Sequence, residues 1–151
     1  MARSALLGVC FACGVILGIL GTVLHGNIWV IGEAGSGLFL PWGAALALLI
    51  LLLAVLWAGT TSGRLAEPAL LGGSAFTVAT VAYLWPGPDQ LVVPFSPAAL
   101  ESVPGPVIAS LVWWFGSAVI TAAGLIAGKW VVLADVAGQR RHAGTTAPAG
   151  R

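Results

Sequence analysis

Few side chains in this chain can do chemistry, and two of them stand together. Cys10-Phe11-Ala12-Cys13 is a C-x-x-C, a spacing that in a helix sets both thiols on one face, fit for thiol exchange or for a soft metal. A zinc site needs three or four ligands, and the chain has no third cysteine. His25 is the one histidine near an apolar run, and His142 lies close to the C-terminus, so a bis-histidine haem lacks its second ring. His25 reads as an interfacial residue, with a pH-sensitive contact to Glu33 as the sharper alternative. Glu67 and Arg64 share a short connection and read as a solvated pair of little energetic weight. No catalytic, cofactor-binding or metal-binding residue is assigned, and no cofactor is expected.

Thiol exchange can be weighed against quinone-linked disulfide enzymes of membranes, which are also four-helix bundles. Those enzymes need a further cysteine pair as a shuttle and work at the outer surface, whereas Cys10 and Cys13 stand alone and toward the cytoplasmic end. The plain reading makes both cysteines small apolar residues in a helix contact. Redox work by Cys10 and Cys13 stays the weaker candidate.

The elements that must carry these residues follow from composition. Of 151 residues, 59% are hydrophobic and only 7% charged, with a mean hydropathy of +1.03, against about a quarter charged in ordinary globular domains. A soluble domain of this size has no means of hiding so much apolar surface. Six basic residues are spread over several segments around a net charge of +1, leaving no patch to neutralise a run of phosphates, so nucleic acid is excluded as a partner.

Four apolar runs set an all-α fold, a four-helix transmembrane bundle with helices expected at about 5–25, 38–58, 68–85 and 106–128, the last extending as far as 136. At ~1.5 Å per residue each covers most of the ~30 Å hydrocarbon core of a bilayer. The first lacks an A-x-A cleavage pattern and reads as an uncleaved helix. The connection 26–37 is rich in glycine, which favours turns over regular structure. Pro41 and Pro68 suit helix starts and Gly59 a helix end. The one long outer loop, 86–105, holds Pro86, Pro88, Pro94, Pro97 and Pro104, which oppose a helix. Residues 1–136 form the membrane domain, and 137–151 are expected as a disordered cytoplasmic tail.

Charge placement orients the bundle. Arg3, Arg64, Lys129, Arg140, Arg141 and Arg151 share one side of a four-span layout, while the opposite loops hold Glu33, Asp89 and Glu101. The positive-inside rule places both termini in the cytoplasm, N-in and C-in, in a cytoplasmic membrane. Trp42, Trp57, Trp85 and Trp130 form an aromatic belt at the span ends. Two faces of small residues stand out, one with Gly14 and Gly18, the other with Gly124 and Gly128. Such faces let helix backbones approach closely in lipid; they either close the bundle against each other or dock a partner.

The run Pro41-Trp42-Gly43 before a leucine-rich helix, the break Trp85-Pro86-Gly87-Pro88-Asp89-Gln90-Leu91 and the four-span N-in layout resemble a small, uncharacterised actinobacterial family of integral membrane proteins, often encoded near the mycothiol-pathway deacetylase. The resemblance implies a fold and a host lineage and supplies no catalytic residue.

The expected function is that of a non-enzymatic accessory or scaffold membrane protein, touching the lipid bilayer and a membrane protein partner or a second copy of itself. The alternative is a small oligomeric transporter or lipid-handling protein, with a lumen lined by Ser74, Thr77, Thr80, Ser110 and Ser117. A thiol-redox protein is the third class. Between the helix ends the sequence offers no ionisable residue of the kind proton relays need, which disfavours an ion-coupled monomer.

Overall fold

Glycine and proline mark the joints of this chain, and the computed structural model, which describes residues 2–32, 37–87 and 90–145, places its elements between them. In order they are α1 (Ala2–Leu24), β1 (Trp29–Ile31), β2 (Leu38–Leu40), α2 (Trp42–Ser62), α3 (Ala66–Leu84), α4 (Pro97–Ser102) and α5 (Pro104–Thr145). The described chain is mostly helical. Helices Ser4–Leu24, Trp42–Ser62 and Pro104–Trp130 are long and apolar enough to cross a membrane. The fourth long helix, α3, is broken up in polarity by Glu67, Ser74, Thr77 and Thr80.

Helix ends follow local chemistry. Gly63 takes a left-handed conformation (φ 60°) after α2, and its N–H returns to the Gly59 carbonyl at 3.1 Å, a glycine C-cap four residues beyond the expected stop. The short helix α4 corrects the expectation that prolines keep the long connection free of helix. Ser96 Oγ accepts the Ala99 N–H at 3.0 Å, and Pro97 occupies the first turn, where its missing N–H has no intrahelical use. The glycine-rich connection also differs from its reading, because Trp29 pairs with Leu40, Val30 with Phe39 and Ile31 with Leu38 in an antiparallel hairpin. Residues 38–40, taken as the start of the second span, belong to that hairpin, and α2 begins after Pro41. Helix α5 runs on to Thr145, through much of the segment expected as a disordered tail; residues 146–151 lie outside the described residues.

Contacts give the helix directions. Gly14 lies against Leu71 and Ser74, and Gly18 against Ala75 and Val78, so α1 and α3 run parallel. Gly116 meets Leu48 and Gly124 meets Val55, so α2 and α5 also run parallel. His25 near Ser110, and Thr80 near Trp114, set the first pair antiparallel to the second. The result is an up-down-up-down arrangement in which α1 packs chiefly on α3 and α5 chiefly on α2. Cys10, Leu51, Val55, Leu71, Ala75 and Trp113 fill the centre. The outside is apolar too, with Phe11, Ile16, Leu49, Leu53, Phe115 and Val119 exposed, a surface suited to lipid and not to water.

At Gly14 a Cβ would overlap the Leu71 carbonyl, and at Gly18 it would come within 2.9 Å of the Ala75 carbonyl; both obstacles are backbone and cannot swing aside. Gly14→Val and Gly18→Val are each expected to destabilise the bundle by about 1–3 kcal/mol, read as an earlier thermal midpoint in detergent. Gly8→Ala, where no atom lies within 4 Å of the added carbon, is the neutral control.

Candidate functional site

The densest group of interior polar side chains sits at the hairpin end of the bundle. Residue His25 directly follows α1, and its backbone N–H reaches the Gly21 carbonyl at 2.9 Å. Its Nδ1–H donates to the Thr22 carbonyl, one of the last-turn acceptors that α1 leaves without an intrahelical partner. A carbonyl only accepts, so Nδ1 holds the proton and Nε2 faces Ser110 Oγ, 3.4 Å away, as the acceptor. Ser110 Oγ in turn accepts the Val93 N–H at 3.0 Å. Beside this relay Thr22 Oγ1 donates to the Gly18 carbonyl at 2.8 Å and accepts Trp113 Nε1–H at 3.2 Å. Helix α1, helix α5 and the connection 85–103 are thus tied at one point.

A serine, a histidine and a backbone carbonyl orienting the histidine have the order of parts found in activated nucleophiles. Here Ser110 is fully buried, and its oxygen is occupied by a backbone N–H. The cluster serves as a latch for the connection. Burial pushes the His25 pKa below the ordinary histidine value, and its bond to Thr22 opposes that shift in part. Glu33, the partner expected for His25, lies outside the described residues, so that contact has no structural description.

At the other end Glu67 departs from its reading. It is 1% exposed, its Oε2 has no hydrogen-bond partner, and among the described residues it forms no ion pair with Arg64. The reason is a helix that begins two residues earlier than Pro68. With α3 starting at Ala66, Glu67 falls in the row of Leu71, Ser74 and Ala75, the face packed on α1. An ionisable side chain therefore does sit inside the helix bundle, against expectation. No signal in residues 60–67 taken alone would have revealed it, because the solvated and the buried readings differ only in where the helix starts.

Cys10 is buried and Cys13 half-buried, and both are free thiols. A reactive thiolate needs a cation or a helix N-terminus beside it, but Cys10 lies mid-helix in the buried apolar cluster that includes Leu51 and Leu71. No group of three metal-ligating side chains occurs among the described residues. The two small-residue faces do not meet each other. Gly14 and Gly18 pack on α3, Gly124 on Val55 of α2, a Cβ on Gly128 would lie 3.7 Å from Leu65, and one on Gly59 would lie 4.0 Å from the Gly128 Cα.

The five hydroxyls that would line a lumen are dispersed. Ser74 donates within reach of the Leu71 and Phe11 carbonyls (3.0 and 3.3 Å), and Ser117 donates to the Trp114 carbonyl at 2.8 Å. Thr80 accepts Trp114 Nε1–H at 3.1 Å, Ser110 belongs to the latch, and Thr77 is exposed and bonded to its own helix. They share no common space. An apolar groove of about 330 Å³ lies between α1 and α3, lined by Ile19, Val23, Val78, Val81 and Leu91.

Two outcomes test these assignments. An unpaired buried carboxyl oxygen is destabilising by about 1–3 kcal/mol, so Glu67→Met should raise the thermal midpoint in detergent; a fall would mean that the carboxyl has a partner in the membrane. Because the folded protein favours neutral His25, the latch is expected to be at full strength above about pH 6.5, the unfolded value, and to weaken as pH falls below it through the lower folded pKa. Thermal midpoints between pH 7.5 and 5.5 should drop for the natural protein, and the drop should shrink in His25→Gln. Comparison with protein families, with curated proteins and with solved structures found no match.

Proposed function

We propose that this chain is a four-span accessory protein of a cytoplasmic membrane, with no reaction of its own, acting through its outer surfaces. In this reading α3 is the fourth crossing. Its 19 residues extend about 28 Å, it lies parallel to α1, and its serine and threonine hydroxyls are bonded to helix carbonyls or to Trp114, as a span in lipid requires. Arg3, Arg64, Lys129, Arg140 and Arg141 fall at the end of the helices away from the hairpin, which favours the N-in, C-in orientation.

The observation that carries the functional reading is how the interior is used. Trp113, Leu51 and Val55 fill the centre, and nearly every interior hydroxyl is spent on a bond within the fold. A solute path through one copy would need those groups to converge, and they do not. Surfaces are what is left to act with, which suits an assembly or scaffold role beside another membrane protein. The groove between α1 and α3 favours a second reading, the handling of a lipid chain.

The test is a pull-down from native membranes in mild detergent, with a C-terminal tag and mass spectrometry. A stoichiometric membrane-protein partner is the expected result. A lone monomer carrying no protein would remove the accessory reading, and a homo-oligomer with bound lipid would bring the second reading forward.

A further inference from the structure

The β1–β2 hairpin has two apolar faces where a hairpin against water would have one. Phe39 lies against Gly105 at the start of α5, so its side of the hairpin is turned to the bundle there, while its cross-strand partner Val30 stays half exposed. The other face holds Trp29, Ile31, Leu38 and Leu40, which are 59, 57, 68 and 43% exposed. Antiparallel strands with one solvated side alternate apolar with polar residues. These six described strand residues include no polar side chain at all.

Chain connectivity limits what can cover that second face. Only Pro41 separates β2 from α2, and four residues separate α1 from β1. At ~3.3 Å per residue a three-residue strand extends about 10 Å, so the described strands stay close to the ends of two membrane-crossing helices. The headgroup layer on one side of a bilayer is roughly 5–7 Å deep beyond the hydrocarbon core. The hairpin is thus tethered at the depth of headgroups and upper acyl chains. Its composition suits that depth: Trp29 packs against Trp42 with ring centroids 5.7 Å apart, and tryptophan concentrates at membrane interfaces. Free strand edges are also tolerated there, since water and headgroups can bond the backbone groups that the hydrocarbon core cannot.

We propose that the β1–β2 hairpin is a membrane-interface anchor, with the face of Trp29, Ile31, Leu38 and Leu40 seated among the lipids of the leaflet at the hairpin end of the bundle. The anchor rests on the membrane-embedded reading of the helices. It adds a lipid-binding surface outside the spans and fixes the hairpin's height relative to the bilayer.

The experiment places nitroxide labels on the full chain in phosphatidylcholine–phosphatidylglycerol vesicles. Ile31→Cys and Leu38→Cys, each in a Cys10→Ala, Cys13→Ala background, are the test sites; both natural side chains are exposed, so their replacement removes little packing. Leu53→Cys, exposed in the middle of α2, reports the lipid core, and Arg64→Cys, exposed in the turn after it, reports water. The expected result is an oxygen-to-nickel-chelate accessibility ratio at both test sites several-fold above that at residue 64 and below that at residue 53. Ready access of the chelate at the test sites, as at residue 64, would place the hairpin in water and overturn the anchor. Poor access of both reagents would show a second copy or another protein covering the face, and would overturn it equally. If the label at residue 53 is itself open to the chelate, the membrane reading fails, and the anchor falls with it.

Discussion

Helices surrounded by lipid gain nothing from hiding apolar side chains from their solvent, so close contact has to hold them together. The α1–α3 interface answers that constraint. Gly14 brings the backbone of α1 against the Leu71 carbonyl, Gly18 does the same at Ala75, and Ser74 reaches across to the Phe11 carbonyl. A hydroxyl shared between two helices and a row of absent side chains replace the large interlocking residues of a soluble core. On the opposite side of the bundle, α2 and α5 meet by a different solution, in which Leu48 and Val55 press into the spaces over Gly116 and Gly124. The bundle therefore has a backbone-to-backbone seam and a side-chain-to-glycine seam, joined through Trp113 where it reaches Gly21 and Thr22.

The two ends of the bundle handle polarity in opposite ways. At the hairpin end, the side chains of His25, Thr22, Ser110 and Trp113 are all hydrogen-bonded, and the relay from Val93 through Ser110 to Thr22 holds a proline-rich connection that has little regular structure of its own. At the other end Glu67 is buried with one oxygen unmatched. The first cluster adds order to a segment that cannot order itself; the second is a local expense that neighbouring packing has to offset. Such an imbalance is where sequence and structure most often part company with simple rules of burial.

The positions of the long helices were legible because lipid imposes length and apolarity together. The runs read at 38–58 and 106–128 overlap α2 and the apolar part of α5 nearly throughout, and glycine and proline marked their limits within a few residues. Short elements were not legible for a matching reason: β1 and β2 have three residues each, α4 has six, and none has enough repeats for a period to show. Ser96-Pro97 is a helix-start signal, set among prolines that oppose a longer helix. Pairing of the small-residue faces was out of reach because Gly14 and Gly124 announce only that something comes close, and not which helix. The latch was half visible: His25 stood out, but Ser110 lies 85 residues away and looked like any span serine.

The parallel pairing of α1 with α3 has a consequence for how the protein is made. The surface that Gly14 needs does not exist until Leu71 has been synthesised, with the whole of α2 and the hairpin in between. At about 5–20 residues per second that interval is on the order of seconds, during which α1 stands in the bilayer with its narrow glycine stripe facing lipid or whatever helix drifts against it. Helix α2 can bind α1 in the meantime, since Gly43 already touches the Leu24 carbonyl at their shared end. The seam that defines the finished bundle is therefore a late event of biogenesis, and a nascent chain stalled before residue 71 would present an adhesive edge to the translocation machinery.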